Sequence, residues 1–142
     1  MILGDHGKTL IKSFEQLRLT AYKRFPTEPW TIGWGHAKGV QAGDTCTEDQ
    51  AEAWFIEDTQ EAVDANNSLL VVTVTQNQFD ALVSFAYNVG IGAESHSTLL
   101  RLVNASDFAG AANEFTKWDH VNGVVVPGLL RRREAERDLF LT

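Results

Sequence analysis

The strongest constraint on what this chain can fold into is a change of hydrophobic period at Thr47. From there on, apolar residues recur at helical spacing, and Thr47-Glu48-Asp49-Gln50 and Thr75-Gln76-Asn77-Gln78 open two of the runs. Both quartets fit the capping box, in which a Thr hydroxyl and a Gln side chain reciprocally satisfy two orphan amides at a helix start. The helices behind them carry Ala51, Trp54, Phe55 and Ala62, then Phe79, Leu82, Phe85, Ala86 and Val89, at core-facing positions. Gly90 and Gly92 end the second run. Ser97 predicts a cap for a short helix through Val103. Ser106 or Asp107 starts another, with Phe108, Ala111, Ala112, Phe115 and Trp118 inward. Val124 to Gly128 read as a break, and Leu129 to Phe140 as a last helix.

Ahead of Thr47 the pattern differs. Asp5 is positioned to cap a first helix running to about Phe14, with Leu10, Ile11, Phe14 and Leu17 on one stripe. Leu19-Thr20-Ala21-Tyr22 and Trp30-Thr31-Ile32-Gly33-Trp34 are short β-prone runs around a proline-containing loop, which predicts a small antiparallel sheet. Gly33, Gly35, Gly39 and Gly43 mark tight turns. The expectation is a single α+β domain over residues 1–142. A β-lobe of about 18–46 faces a helical lobe of about 47–142 plus the N-terminal helix, with a cleft between them.

Composition narrows the function classes. The net charge of −7 argues against nucleic acid as a partner. That mean hides a segregation: between Lys38 and Arg101 there are ten acids and no lysine or arginine. Cys46 is the only cysteine, which excludes an internal disulfide and a multi-cysteine metal site. His6, His96 and His120 show no metal-ligand spacing, and no metal or cofactor is expected. There is no glycine-rich phosphate loop and no nucleophile-elbow motif. No apolar run reaches membrane-spanning length, and the first sixteen residues lack a signal-peptide pattern, so a cytoplasmic product without its own export signal is expected.

What remains for chemistry is Glu15, the hydroxyl of Thr31 and an aromatic wall of Tyr22, Trp30, Trp34 and Tyr87. Glu15 falls at the C-terminal end of the first helix, where the last turn carries partial negative charge and favours cations; an acid placed there is a functional hint. His36 ends a glycine-rich turn beside the presumed cleft. These parts suit polysaccharide hydrolysis, which needs an acid to protonate the leaving oxygen and a group to hold water, with aromatic faces stacking on sugar rings. A purely structural glutamate near a loop stays open as the alternative.

The stretch LIKSFEQLRLTAY followed by WTIGWGH resembles the phage-type lysozymes, the endolysins of glycoside hydrolase family 24. Residues 78–90, Ser97-Thr98-Leu99-Leu100, residues 111–118 and the segment from Pro127 to Arg137 are similar too, in the same order. The resemblance implies a lysozyme-like fold, and a muramidase that cleaves the β-1,4 bond between N-acetylmuramic acid and N-acetylglucosamine in bacterial peptidoglycan. It implies Glu15 as general acid and Thr31 as the water-orienting residue. Gly35, Ala37, Tyr87 and Thr98 would line the glycan cleft with Tyr22, Trp34 and His36, and one of the arginines at 131–133, Arg132 first among them, would pair with Glu15. It further implies a monomer held in the host cytoplasm until a separate membrane-permeabilising protein opens the way to the wall.

One position departs from the family. Its members usually carry an aspartate, and some a cysteine, nine residues after the catalytic glutamate, and here that position is Arg24. Glu28 is the next acid along the loop and the candidate substitute. Three activities therefore stay open: hydrolysis, lytic transglycosylation with one catalytic acid, and peptidoglycan binding with little turnover. Milder departures are Glu94, where relatives carry an aromatic residue, and Asn66, on a helix position that is commonly apolar.

Overall fold

The computed structural model describes residues 1–142, which form seven α-helices and two two-stranded antiparallel sheets. The chain divides into two compact units: Met1–Leu10 with Ala62–Thr142, and Ile11–Glu61. The smaller unit is thus wider than the β-prone stretch, because it takes in the end of α1 (Asp5–Glu15) and the start of α2 (Glu48–Leu69).

The larger unit is built on α3 (Gln76–Val89). Its capping box forms as the sequence predicts: Thr75 Oγ1 accepts from the Gln78 amide at 3.1 Å, and Gln78 Oε1 accepts from the Thr75 amide at 2.9 Å. Phe79 to Ala86 are all buried, so this helix is enclosed on every side rather than along one stripe. It packs against α7 (Pro127–Phe140), which begins two residues earlier than the helical pattern predicts, because Pro127 is favoured in the first turn. Phe115, in the 3-10 turn after α6 (Phe108–Glu114), meets Phe85 edge-on at 5.6 Å and Phe140 at 5.5 Å. Each such ring, fully buried, contributes on the order of 2–3 kcal/mol.

Three local readings are corrected. Asp5 is the first residue of α1 rather than the group that caps it. The amides of Gly4 and Gly7 donate instead to Asp80 on α3, at 2.9 and 3.1 Å. Both glycines are needed for that approach, since a Cβ would stand 2.8 Å from Asp80 Oδ2 at Gly4 and 2.9 Å from its Cγ at Gly7. Residues 91–95, beyond the glycine stop, form a short α4 before Ser97 caps α5 (Thr98–Asn104). The supposed break at 124–128 contains a strand: β3 (His120–Val121) pairs with β4 (Val124–Val125) through Asn122 and Gly123. Those two residues have φ of 51° and 78°, the backbone that a two-residue hairpin turn demands.

In the smaller unit, β1 (Arg18–Tyr22) pairs antiparallel with β2 (Thr31–Gly33), with a register irregularity between Arg18 and Tyr22. Bridges from Thr20 to Thr45 and from Ile32 to His36 extend the sheet at both sides. Gly33, Gly35, Gly39 and Gly43 all take positive φ, which explains the glycine spacing of this segment.

The larger unit also buries a set of polar groups. On α7, Glu136 is fully buried. It accepts from Ser84 Oγ at 2.6 Å and pairs with Arg132 and Arg133 at 3.3 and 3.0 Å. Glu94 and Asn66, both odd in the sequence, are likewise fully buried. Burial pushes the Glu94 carboxyl up to about 8 from its ordinary 4.5; the Asn66 side chain offsets part of the rise and the Glu136 carboxylate adds to it. The folded state therefore holds a proton that the unfolded chain releases above pH 4.5. The stability this proton confers is complete below that pH and is lost as pH rises to about 8. Between pH 5 and 8, urea unfolding should show the native chain losing on the order of 2–4 kcal/mol relative to Glu94→Gln. Equal pH slopes for the two proteins would contradict this account.

Candidate active site

Glu15 is the last residue of α1, and the helix stops there because Gln16 turns into the left-handed region at φ 57° while its amide still bonds to Lys12 O at 3.0 Å. A non-glycine residue in that conformation is mildly strained, which is common beside functional groups. The Glu15 side chain is buried at 9% exposure, on the wall of a cavity of about 400 Å³ that Phe14, Arg18, Tyr22, Lys23 and Arg24 also line. Arg24 Nη2 stands 3.8 Å from Glu15 Oε2. A cation thus stands against the carboxylate of the catalytic candidate.

The turn Trp34-Gly35-His36 closes on the same carboxylate. A Cβ built on Gly35 would lie 2.6 Å from Glu15 Oε2, and the glycine φ is 98°. Both steric room and backbone conformation therefore demand glycine here. Two interactions grip the turn on either side of Gly35. Lys12 Nζ sits 5.1 Å from the Trp34 ring centroid and 4.9 Å from that of Phe55, and pairs with Glu52 at 2.8 Å. His36 stacks on Trp54 at 4.4 Å with the rings 5° apart, and its Nδ1 lies 2.8 Å from Asp58 Oδ2. His36 is buried by these contacts, so its imidazole braces the turn from within.

Thr31 opens β2 directly opposite Tyr22. Its hydroxyl donates to Pro29 O at 3.1 Å. Since a carbonyl can only accept, that hydrogen is committed, and the lone pairs of Oγ1 are the part left to face other partners. Glu28 is half-buried in the loop before it, with its amide bonded to Phe25 O at 3.0 Å, and it is not on the cavity wall. Ala37 follows the turn, half-buried. Burial pushes the Cys46 thiol up, which suppresses the thiolate and fits an inert side chain.

The remaining candidates belong to the larger unit. Tyr87 is half-buried on α3, and Thr98 is exposed as the first residue of α5. Arg132 is buried on α7, where it reaches the Ser84 carbonyl at 3.2 Å as well as Glu136. Sequence reasoning missed Arg18, Lys23 and Lys12. Arg18 and Lys23 flank the β-prone run on either side and fall on opposite faces of its period-2 pattern, so no local signal joins them, and nothing local singles out Lys12.

Comparison with known proteins agrees over the whole chain. The family model for phage lysozyme matches residues 12–136. The endolysin of Bacillus phage B103 is 54% identical over 144 residues, covering 100% of this chain and 55% of its own length. The chain thus spans about half the length of the Bacillus phage relatives it matches. The endolysin of Acyrthosiphon pisum secondary endosymbiont phage 1 is 42% identical over 99% of this chain and 98% of its own. Among solved structures, the muramidase domain of SpmX from Asticaccaulis excentricus superposes with a TM-score of 0.90 at 41% identity, over 99% of this chain and 98% of that one. A mostly helical chain with a short sheet and an acid at the end of its first helix, matched at this identity across its length, belongs to the phage lysozyme family.

Proposed function

We propose that the chain hydrolyses peptidoglycan as a muramidase, cutting the β-1,4 bond between N-acetylmuramic acid and N-acetylglucosamine, with Glu15 as the general acid. The observation that carries this reading is the Glu15 carboxylate itself, largely withdrawn from solvent and pressed against Gly35 on a cavity wall that also bears Tyr22. Glu15 gives its proton to the glycosidic oxygen as the bond breaks. Thr31, with its hydrogen committed to Pro29, accepts a hydrogen bond from the incoming water, whose oxygen bonds to the anomeric carbon as the glycosidic bond breaks; the proton that water sheds passes to solvent, from which Glu15 is reprotonated. Tyr22 and Trp34 supply ring faces for the sugars. Ala37 extends the glycan site in this reading. No helix is long and apolar enough to cross a membrane; passage to the wall through a separate permeabilising partner belongs to the same reading.

Arg24 gives a second reading its basis. Among the residues on the cavity wall only Glu15 is acidic, so a one-acid mechanism, lytic transglycosylation, uses what the wall provides. Mass analysis of fragments from purified peptidoglycan separates the possibilities. New reducing ends are expected; 1,6-anhydro ends would replace hydrolysis by transglycosylation, and pelleting with the wall without soluble fragments would leave binding alone.

Two variants test the assignment of Glu15. Glu15→Gln should release no fragments while its circular dichroism matches that of the native chain, and substantial activity in it would sink the mechanism. Gly35→Ala should lower activity by roughly 100-fold, because the new methyl displaces the carboxylate by a good fraction of an ångström. It should cost about 1–2 kcal/mol in urea unfolding. Native-level turnover with alanine at this position would mean that the Glu15–Gly35 approach is irrelevant to the chemistry.

A further inference from the structure

Three of the chain's twelve basic residues, Arg18, Lys23 and Arg24, lie on the wall of the Glu15 cavity, in a protein whose net charge is −7. Arg24 is ion-paired to Glu15, whereas Arg18 and Lys23 have no ion pair at all. Each is held over an aromatic face: the Arg18 guanidinium carbon is 5.3 Å from the Tyr22 ring centroid, and Lys23 Nζ is 5.1 Å from that of Trp30. A ring face orients a cation without neutralising it, so both charges are positioned and still available. A surface ion pair would have cancelled them.

The geometry points to an anion subsite beside Glu15: Arg18 and Lys23, with Arg24 on the same wall, receive an anionic substituent of the wall polymer. The anion is a carboxylate of the peptide stem or a phosphodiester of an attached polymer, two sources of one chemistry. The assignment rests on the peptidoglycan reading above for where the polymer lies. Two physical needs converge on it. A chain with this net charge repels an anionic wall at long range, and a local cationic patch is what admits the polymer at close range. Arg24 also puts positive charge where sugar cleavage builds more of it, and a substrate anion seated there offsets that charge.

The test measures binding on the Glu15→Gln protein, so that the probe is not cut. Three probes are compared: soluble glycan chains whose peptide stems carry free carboxylates, the same chains with those carboxyls amidated, and poly(glycerol phosphate). Free-carboxyl chains should bind roughly fivefold more tightly than amidated ones, the scale of one or two exposed charge pairs. Adding Arg18→Gln and Lys23→Gln together should erase the difference, and Arg18→Lys should keep most of it. If poly(glycerol phosphate) displaces the chains and its binding is lost in the double variant, phosphate is the anion recognised. Equal binding of all three probes, or a preference that survives the double variant, overturns the subsite. Release of new reducing ends by the native chain reports separately on hydrolysis. Its absence alongside an intact carboxylate preference would remove the hydrolase reading and leave the subsite standing.

Discussion

The site depends on one close approach, that of the Gly35 backbone to the carboxylate of Glu15. There is no room for a methyl group between them, and the glycine φ of 98° would in any case resist a side chain. Such contacts hold only when both partners are fixed from outside. Glu15 is fixed by the helix it ends. The turn is fixed by Lys12 through Trp34 and Phe55 on one side, and by Trp54 and Asp58 through His36 on the other. Individually these are modest interactions, about 0.5–1 kcal/mol for an exposed cation–π pair and up to about 1.5 for stacked rings. Their value lies in aim, because a reacting group displaced by an ångström loses most of its effect.

The sequence makes some of this legible and hides the rest for identifiable reasons. Local chemistry reads well: the capping box at Thr75, the cap at Ser97 and the glycine turns at 33–43 depend on residues a few positions apart. Interactions across long sequence distances do not. Asp80 accepts the first amides of α1 from more than seventy residues away, and no local pattern announces it. The hairpin at 120–125 is a different kind of miss. Asn122-Gly123 is a strong turn signal, but the strands it joins are two residues each, too short to show an alternating pattern. Glu15, Thr31 and Arg24 are placed by family resemblance more than by residue chemistry, since a glutamate at a helix end is common. The grip on the turn by Lys12 and His36 reaches across the sequence to Phe55 and Asp58 and leaves no local pattern.

Buried polarity in the larger unit shows how this fold tolerates charge. Glu136, Arg132, Arg133 and Ser84 form a connected set on and beside α7, so each charge has an opposite charge or a hydroxyl against it. Such sets are costly to break and add little net stability, because removing two ions from water consumes most of their attraction. Glu94 is the exception. It lies in the same interior with only Asn66 to moderate its burial, and it avoids the cost by staying protonated over the neutral range. The two polar oddities of the sequence, at 66 and 94, thus meet in one buried site where the amide moderates the acid.

The larger unit is discontinuous, with Met1–Leu10 separated from Ala62–Thr142 by the entire smaller unit. During synthesis, residues 11–61 leave the ribosome while Gly4 and Gly7 still wait for Asp80, which is made some seventy residues later. The smaller unit can therefore gather its turn and sheet first, but the start of α1 stays uncapped until α3 has emerged. The Asp80 cap at the start of the helix that ends in Glu15 is consequently out of reach until α3 has been made.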